Sequence, residues 1–128
     1  MMNRFMFPKD DKKYSWTRHV VGKMQYYRLS ESIIKRIIRH PKRVERGIAE
    51  GTVACMIPRT SAVRSRGRPH FIKTPRGRPS KGEELWVMYQ QKGQRKHIIT
   101  TWRYPGVSPV RDVLPIPQDI LEEIKDLV

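Results

Sequence analysis

Between Gly51 and Gly82 the chain carries eight Arg or Lys residues and no Asp or Glu, and it writes Arg-Gly-Arg-Pro twice, at Arg66-Gly67-Arg68-Pro69 and Arg76-Gly77-Arg78-Pro79. Prolines at this density forbid a helix, because each ring removes an amide donor and clashes with the preceding turn. The segment's polarity also gives it no face to offer a core. Arg59 to Gly82 therefore reads as a loop, with His70-Phe71-Ile72 as one short piece that can extend against a sheet. A connection this long is either functional or disordered. Whatever packs must be built from the two flanks.

In the first flank the apolar residues fall at helical spacing. With Ser15 as N-cap, Trp16, Val20, Met24 and Tyr27 form one stripe; Lys23 points almost along Trp16, with His19 and Tyr26 on the adjoining margin. A second helix starts at Ser30, where Leu29 can staple onto Ile34. Ile33, Ile34, Ile37 and Ile38 make its apolar face, Lys35, Arg36 and Arg39 the opposite one, and Pro41 ends it. After a turn through Gly47 and Gly51, Thr52 to Ile57 reads as a strand closed by Pro58.

In the second flank Glu84 to Gln91 and Arg95 to Tyr104 read as a hairpin turning at Lys92-Gly93. Strict alternation puts His97, Ile99, Thr101 and Arg103 on one face and Ile98, Thr100, Trp102 and Tyr104 on the other. A connector with Pro109, Pro115 and Pro117 leads to a last helix around Gln118 to Leu127, with Ile120, Leu121, Ile124, Leu127 and Val128 inward and Asp119, Glu122 and Glu123 near its positive end. The expected architecture is α+β: two N-terminal helices packed on a small antiparallel sheet, plus a C-terminal helix. Residues 1–14 read as a disordered basic lead, and 15–128 as one domain with the basic Pro/Gly loop at 59–82.

The 128 residues hold 27 Lys and Arg against 12 Asp and Glu, a formal charge of +15. Such an excess repels itself unless solvent or a polyanion screens it, so nucleic acid is the first partner to expect. Met1 to Lys13 has no apolar run long enough for a signal peptide, and no window approaches the roughly 20 apolar residues of a membrane span, so the expected compartment is the cytoplasm. Cys55 stands alone, which excludes an intrachain disulfide and a cysteine-rich zinc site. His19, His40, His70 and His97 lack the paired spacing of metal ligands, and no metal or cofactor is expected.

His19-Val20-Val21-Gly22-Lys23-Met24 resembles the His-Ala-x-x-Arg-Met helix of the BrnT and RelE-type ribonuclease toxins, with Lys23 in the Arg position. Leu29-Ser30, His40-Pro41-Lys42-Arg43-Val44-Glu45 and Ile98-Ile99-Thr100-Thr101-Trp102-Arg103-Tyr104 extend the likeness. Glu84-Leu85-Trp86-Val87-Met88-Tyr89-Gln90 and Trp102 to Pro109 are also similar to a set of proteins from reduced-genome bacteria. The resemblance implies a nucleic-acid-binding domain with metal-independent endoribonuclease activity, acting on RNA and neutralised by an acidic antitoxin.

Metal-free RNA cleavage needs a base for the 2′-hydroxyl, cations on the phosphate and an acid for the leaving oxygen. His19 is the candidate base, Lys23 and Arg103 the cations, and Tyr104 or His97 the acid. Each has a plainer role open to it: a margin histidine bonded to the sheet, a snorkelling lysine, sheet-end packing.

The candidate phosphate contacts are Arg64, Arg66, Arg68, Lys73, Arg76, Arg78 and Lys81 in the loop, with Arg36 and Arg39 on the second helix. Pro75-Arg76-Gly77-Arg78-Pro79 resembles the AT-hook, in which extended Arg side chains enter a narrow minor groove around a Gly. The alternative function is thus a non-catalytic DNA- or ribosome-binding protein tethered by that loop.

Overall fold

The computed structural model describes residues 7–59, 63–65, 68–70, 82–109 and 114–127, with backbone alone for 63–65 and 68–70. Its elements are β1 (Tyr14–Trp16), α1 (Arg18–Tyr27), α2 (Glu31–Arg39), β2 (Arg43–Arg46), β3 (Thr52–Arg59), β4 (Val63–Ser65), β5 (Arg68–His70), β6 (Glu83–Lys92), β7 (Arg95–Pro105) and α3 (Gln118–Ile124). Five strands form one sheet in the order β1-β7-β6-β3-β2. The class is α+β, with two helices before the central hairpin and one after it. The sheet is mixed rather than purely antiparallel, because β1 runs parallel to β7.

That parallel strand corrects the expected start of α1. Ser15 is no N-cap: its Oγ is 2.7 Å from His97 Nδ1 across the β1–β7 pair. Thr17 caps instead, its Oγ1 accepting the Val20 amide at 3.0 Å while donating to the Ile99 carbonyl at 2.8 Å. One side chain thereby ends β1, starts α1 and ties both to β7. Trp16 is buried from the strand, not from the helix. Within the lead read as 1–14, Asp11 Oδ1 accepts the amides of Lys13 and Tyr14, and Asp10 Oδ1 that of Trp16.

The second helix forms as its sequence dictates. Ser30 Oγ accepts the Ile33 amide, and Leu29, Ile34, Ile37 and Ile38 enter one core cluster with Val20 and Met24 of α1. Those helices cover the sheet face that carries Cys55, Leu85, Val87 and Ile98. The opposite face presents Ala54, Met56, Trp86, Met88, Ile99 and Trp102 to Ile120 and Ile124 of α3. A helix of seven residues has no stability of its own. Ile120 and Ile124, both fully buried, hold it at about 1.5–3 kcal/mol each.

Three further expectations change. Arg43–Arg46, given no element from the sequence, is a strand, the edge partner of β3. Pro58 does not close β3, which continues to Arg59; β2 has ended by Met56, so no neighbour on that side asks for the amide that Pro58 lacks. The β6–β7 ladder slips between Met88 and Tyr89, pairing Met88 with Thr100 and Tyr89 with Ile98, so strict alternation fails at Ile99. Ile99 consequently joins Trp102 and not the face of Arg103.

The basic loop is not wholly irregular, since β4 and β5 pair antiparallel with Ser65 opposite Arg68. The extension expected at Phe71-Ile72 and the inward Val128 lie outside the described residues. Among the described residues no helix is long and apolar enough to cross a membrane.

Candidate nucleic-acid interface

β1 accompanies β7 only as far as Ile98, and from Ile99 onward that edge of the sheet carries no strand. There α1 leaves the sheet, with His19 and Lys23 one turn apart toward α3. His19 Nε2 lies 2.8 Å from Thr100 Oγ1, and its Nδ1 lies 3.7 Å from Glu123 Oε1. Burial holds the imidazole below its ordinary pKa, outweighing the upward pull of Glu123. At neutral pH His19 is therefore uncharged, and its approach to Glu123 is not an ion pair.

Lys23 Nζ lies 3.1 Å from Glu123 Oε1 and 3.7 Å from Asp119 Oδ2. Burial works against its charge, but the hydrogen bond and field of Glu123, with Asp119, more than compensate and raise its pKa. Its ammonium also stands 5.4 Å from the ring centre of Tyr26. The expected pair thus does assemble, on an edge already supplied with anions by α3.

Arg103 is engaged elsewhere. Its Nε and Nη2 donate to the Tyr27 carbonyl, at 3.1 and 2.6 Å, and its Nη1 pairs with Glu83. It caps the last turn of α1, where Arg28 takes a left-handed conformation with φ of 59°, and fastens that turn to the start of β6. Tyr104 packs on the other sheet face, against the α3 cluster. His97 meets Ser15, three residues and about 10 Å along β7 from Thr100. The five candidates for catalysis therefore do not converge. His19 and Lys23 share an edge, while Arg103 and Tyr104 are separated by the sheet.

One group of exposed cations lies toward the opposite edge of the sheet, while Arg18 and Arg28 are exposed on α1 and at its end. Arg36 and Arg39 are exposed on α2, as are Lys42, Arg46 and Arg59, and none has an ion-pair partner among the described residues. The Lys42 amide donates to the Met56 carbonyl at 2.8 Å, three residues before Arg59. At about 3.3 Å per residue, the end of α2 is anchored about 10 Å from the root of the basic segment. Both ends of that segment are fixed by the Arg59–Glu83 pairing. Of its expected phosphate contacts, Arg64 lies in β4 and Arg68 in β5, while Arg66, Lys73, Arg76, Arg78 and Lys81 lie outside the described residues.

One buried polar network was not anticipated. Glu84, 2 % exposed, accepts from Trp86 Nε1 at 3.0 Å, from the Ser108 amide at 3.0 Å and from Ser108 Oγ at 2.6 Å. Arg43 donates to the Ser108 carbonyl and hydroxyl and to the Pro109 carbonyl, and its guanidinium lies 5.1 Å from the Trp86 ring centre. Trp86 in turn stacks on Trp102, with centroids 5.6 Å apart and planes 2° from parallel. The set pins residues 105–109 to the sheet and satisfies a buried carboxylate with donors. A Glu directly before an apolar strand run was its only trace in the sequence.

Among the described residues no group of His, Cys, Asp and Glu is placed to hold a metal ion. No family model, curated protein or solved structure matches the chain.

Proposed function

We propose that this protein binds nucleic acid through phosphate contacts made by its basic 59–82 segment together with the exposed cations of α2 and the α2–β2 turn. The observation that carries the reading is the surplus of exposed basic side chains. Several acidic side chains of the folded body already serve partners within it, Glu31 with Lys35, Glu45 with Arg43, Glu83 with Arg103, and Asp119 and Glu123 with Lys23, while Glu50 and Asp126 are exposed. The surplus from 27 basic residues against 12 acidic ones is left on the outside and in the segment that leaves from Arg59. Released counterions then favour any phosphate polymer, with no sequence information required. The Arg76-Gly77-Arg78 word is suited to a narrow groove in DNA and equally to structured RNA. The cytoplasm is the compartment that fits this role, with the ribosome as a further partner, or an acidic neutralising protein under the toxin-like resemblance.

A second reading, metal-independent RNA cleavage, is favoured by the neutral His19 standing one turn from Lys23. It requires a substrate phosphate to take the place of Glu123 and Asp119. Both readings meet one experiment, in which the protein is incubated with total RNA in EDTA and analysed on native and denaturing gels. A mobility shift with intact RNA is the expected result. Fragments that disappear in His19→Ala would transfer the conclusion to the ribonuclease, and unshifted, intact RNA and DNA at low salt would overturn both.

A further inference from the structure

The outward face of α1 differs from every other helical surface in the fold. Arg18, Gly22 and Tyr26 follow one another at intervals of one turn and all are exposed. Tyr26 is 74 % exposed, a large ring left in solvent. It is not loose, because Tyr27 braces it edge-on, at 4.9 Å between centroids and 85° between planes, and Lys23 stands 5.4 Å from its centre. Gly22 is equally unexplained by the fold. A glycine inside a helix is unfavourable, and a Cβ built at Gly22 would meet nothing within 4 Å. Among the described residues no packing requires the missing side chain. What its absence leaves is one bare position of helix backbone, a turn before the ring.

A braced, solvent-facing aromatic beside an ammonium, with a glycine one turn before it leaving the backbone bare, is suited to a flat π-system in a negatively charged strand. We propose that this face is a stacking platform for an unpaired nucleobase: Tyr26 takes the base, the strand lies over Gly22, and Lys23 and Arg18 take the flanking phosphates. The carboxylates now on Lys23 belong to side chains that are 49 % and 67 % exposed, so a phosphate can exchange with them by side-chain rotation without moving α3. A base inside a duplex is already stacked on both faces and costs energy to free, so the ligand is single-stranded. The inference rests on the nucleic-acid reading above and adds to it a second contact, one that depends on bases and not on phosphates alone.

The test compares binding of the full chain to a ten-nucleotide oligo-uridylate, the matching oligo-deoxythymidylate and an abasic deoxy strand of the same length, by fluorescence anisotropy. Loss of one stacking contact is expected to weaken Tyr26→Ala about 5- to 100-fold on the base-bearing strands, with Tyr26→Phe close to the native protein. Binding of the abasic strand should be unaffected by either change. Gly22→Gln should weaken the base-bearing strands while raising the thermal midpoint, which separates an obstructed platform from a damaged fold. The two base-bearing strands report whether ribose matters. Equal affinities of Tyr26→Ala and native protein for both of them, or an equal loss on the abasic strand, would overturn the platform and leave the phosphate contacts standing. Failure of the native protein to bind any of the three, or a DNA duplex and a structured RNA run beside them at low salt, would instead overturn the nucleic-acid reading itself.

Discussion

His19 and His97 couple the fold to pH at two places along β7. In both, burial lowers the pKa from 6.5; at His97 Lys92 and Arg95 act in the same sense, against Asp10. Near 6.5 the unfolded chain therefore binds more protons than the folded one, and stability rises with pH there. The contribution of each imidazole is complete above 6.5 and is lost as pH falls through its lower folded value. The urea midpoint is expected to drop between pH 7.5 and 5.5, a range above most carboxylate titration, and the double variant His19→Gln, His97→Gln should flatten that drop. An unchanged native midpoint over this range would show that neither ring is held neutral by burial. Lys23 has the opposite sense, since its raised pKa adds stability that disappears only as pH climbs through values above 10.5. Its charge is thus permanent under ordinary conditions, as a phosphate contact requires.

At the scale of elements, α1 depends on a residue whose role is decided far along the chain. Thr17 satisfies the Val20 amide and reaches the Ile99 carbonyl, so Thr17→Ala removes a helix cap and a tie to the sheet together. The expected loss is about 1–2 kcal/mol in a denaturant titration, with most of it recovered in Thr17→Ser; a loss near zero would mean that water replaces both bonds. The same residue explains what could be foreseen. α2 was legible because Leu29, Ser30, the isoleucine spacing and Pro41 are all local signals. The start of α1 was not, since Ser15 and Thr17 are both capping residues and the choice falls to β7, 82 residues away. β2 escaped because Arg43-Val44-Glu45-Arg46 has strand character only through its ladder with β3, and the faces of β7 shifted because a bulge is a property of two strands. For the site, the spacing of His19 and Lys23 was readable from α1 alone. Their closure by Asp119 and Glu123 was not, because it follows from where Ile120 and Ile124 bury α3.

Across the whole molecule bases outnumber acids by 27 to 12, and this surplus has a quantitative consequence for binding. Carboxylates engaged with Lys35, Arg43 and Arg103 neutralise cations that the fold itself uses, and the surplus cations remain for phosphates. With about four to six phosphates contacted at once, log affinity should fall against log salt with a slope of about −4 to −5. Arg76→Ala with Arg78→Ala should reduce the slope by about 2, and Arg36→Ala with Arg39→Ala by a similar amount, because each lost contact removes about 0.9 of a released counterion. Lys125 supplies the control: it is exposed but sits 3.7 Å from Glu122, and Lys125→Ala should leave the slope unchanged. If affinity fell in the Arg variants at constant slope, the residues would be acting through hydrogen bonds to bases or through packing, not through counterion release. A slope that followed total charge, equal for Lys125 and Arg76, would mean that the molecule attracts polyanions as a diffuse sphere of charge. Only unequal effects, large for the segment and α2 and absent for Lys125, correspond to phosphates held at particular places on this fold.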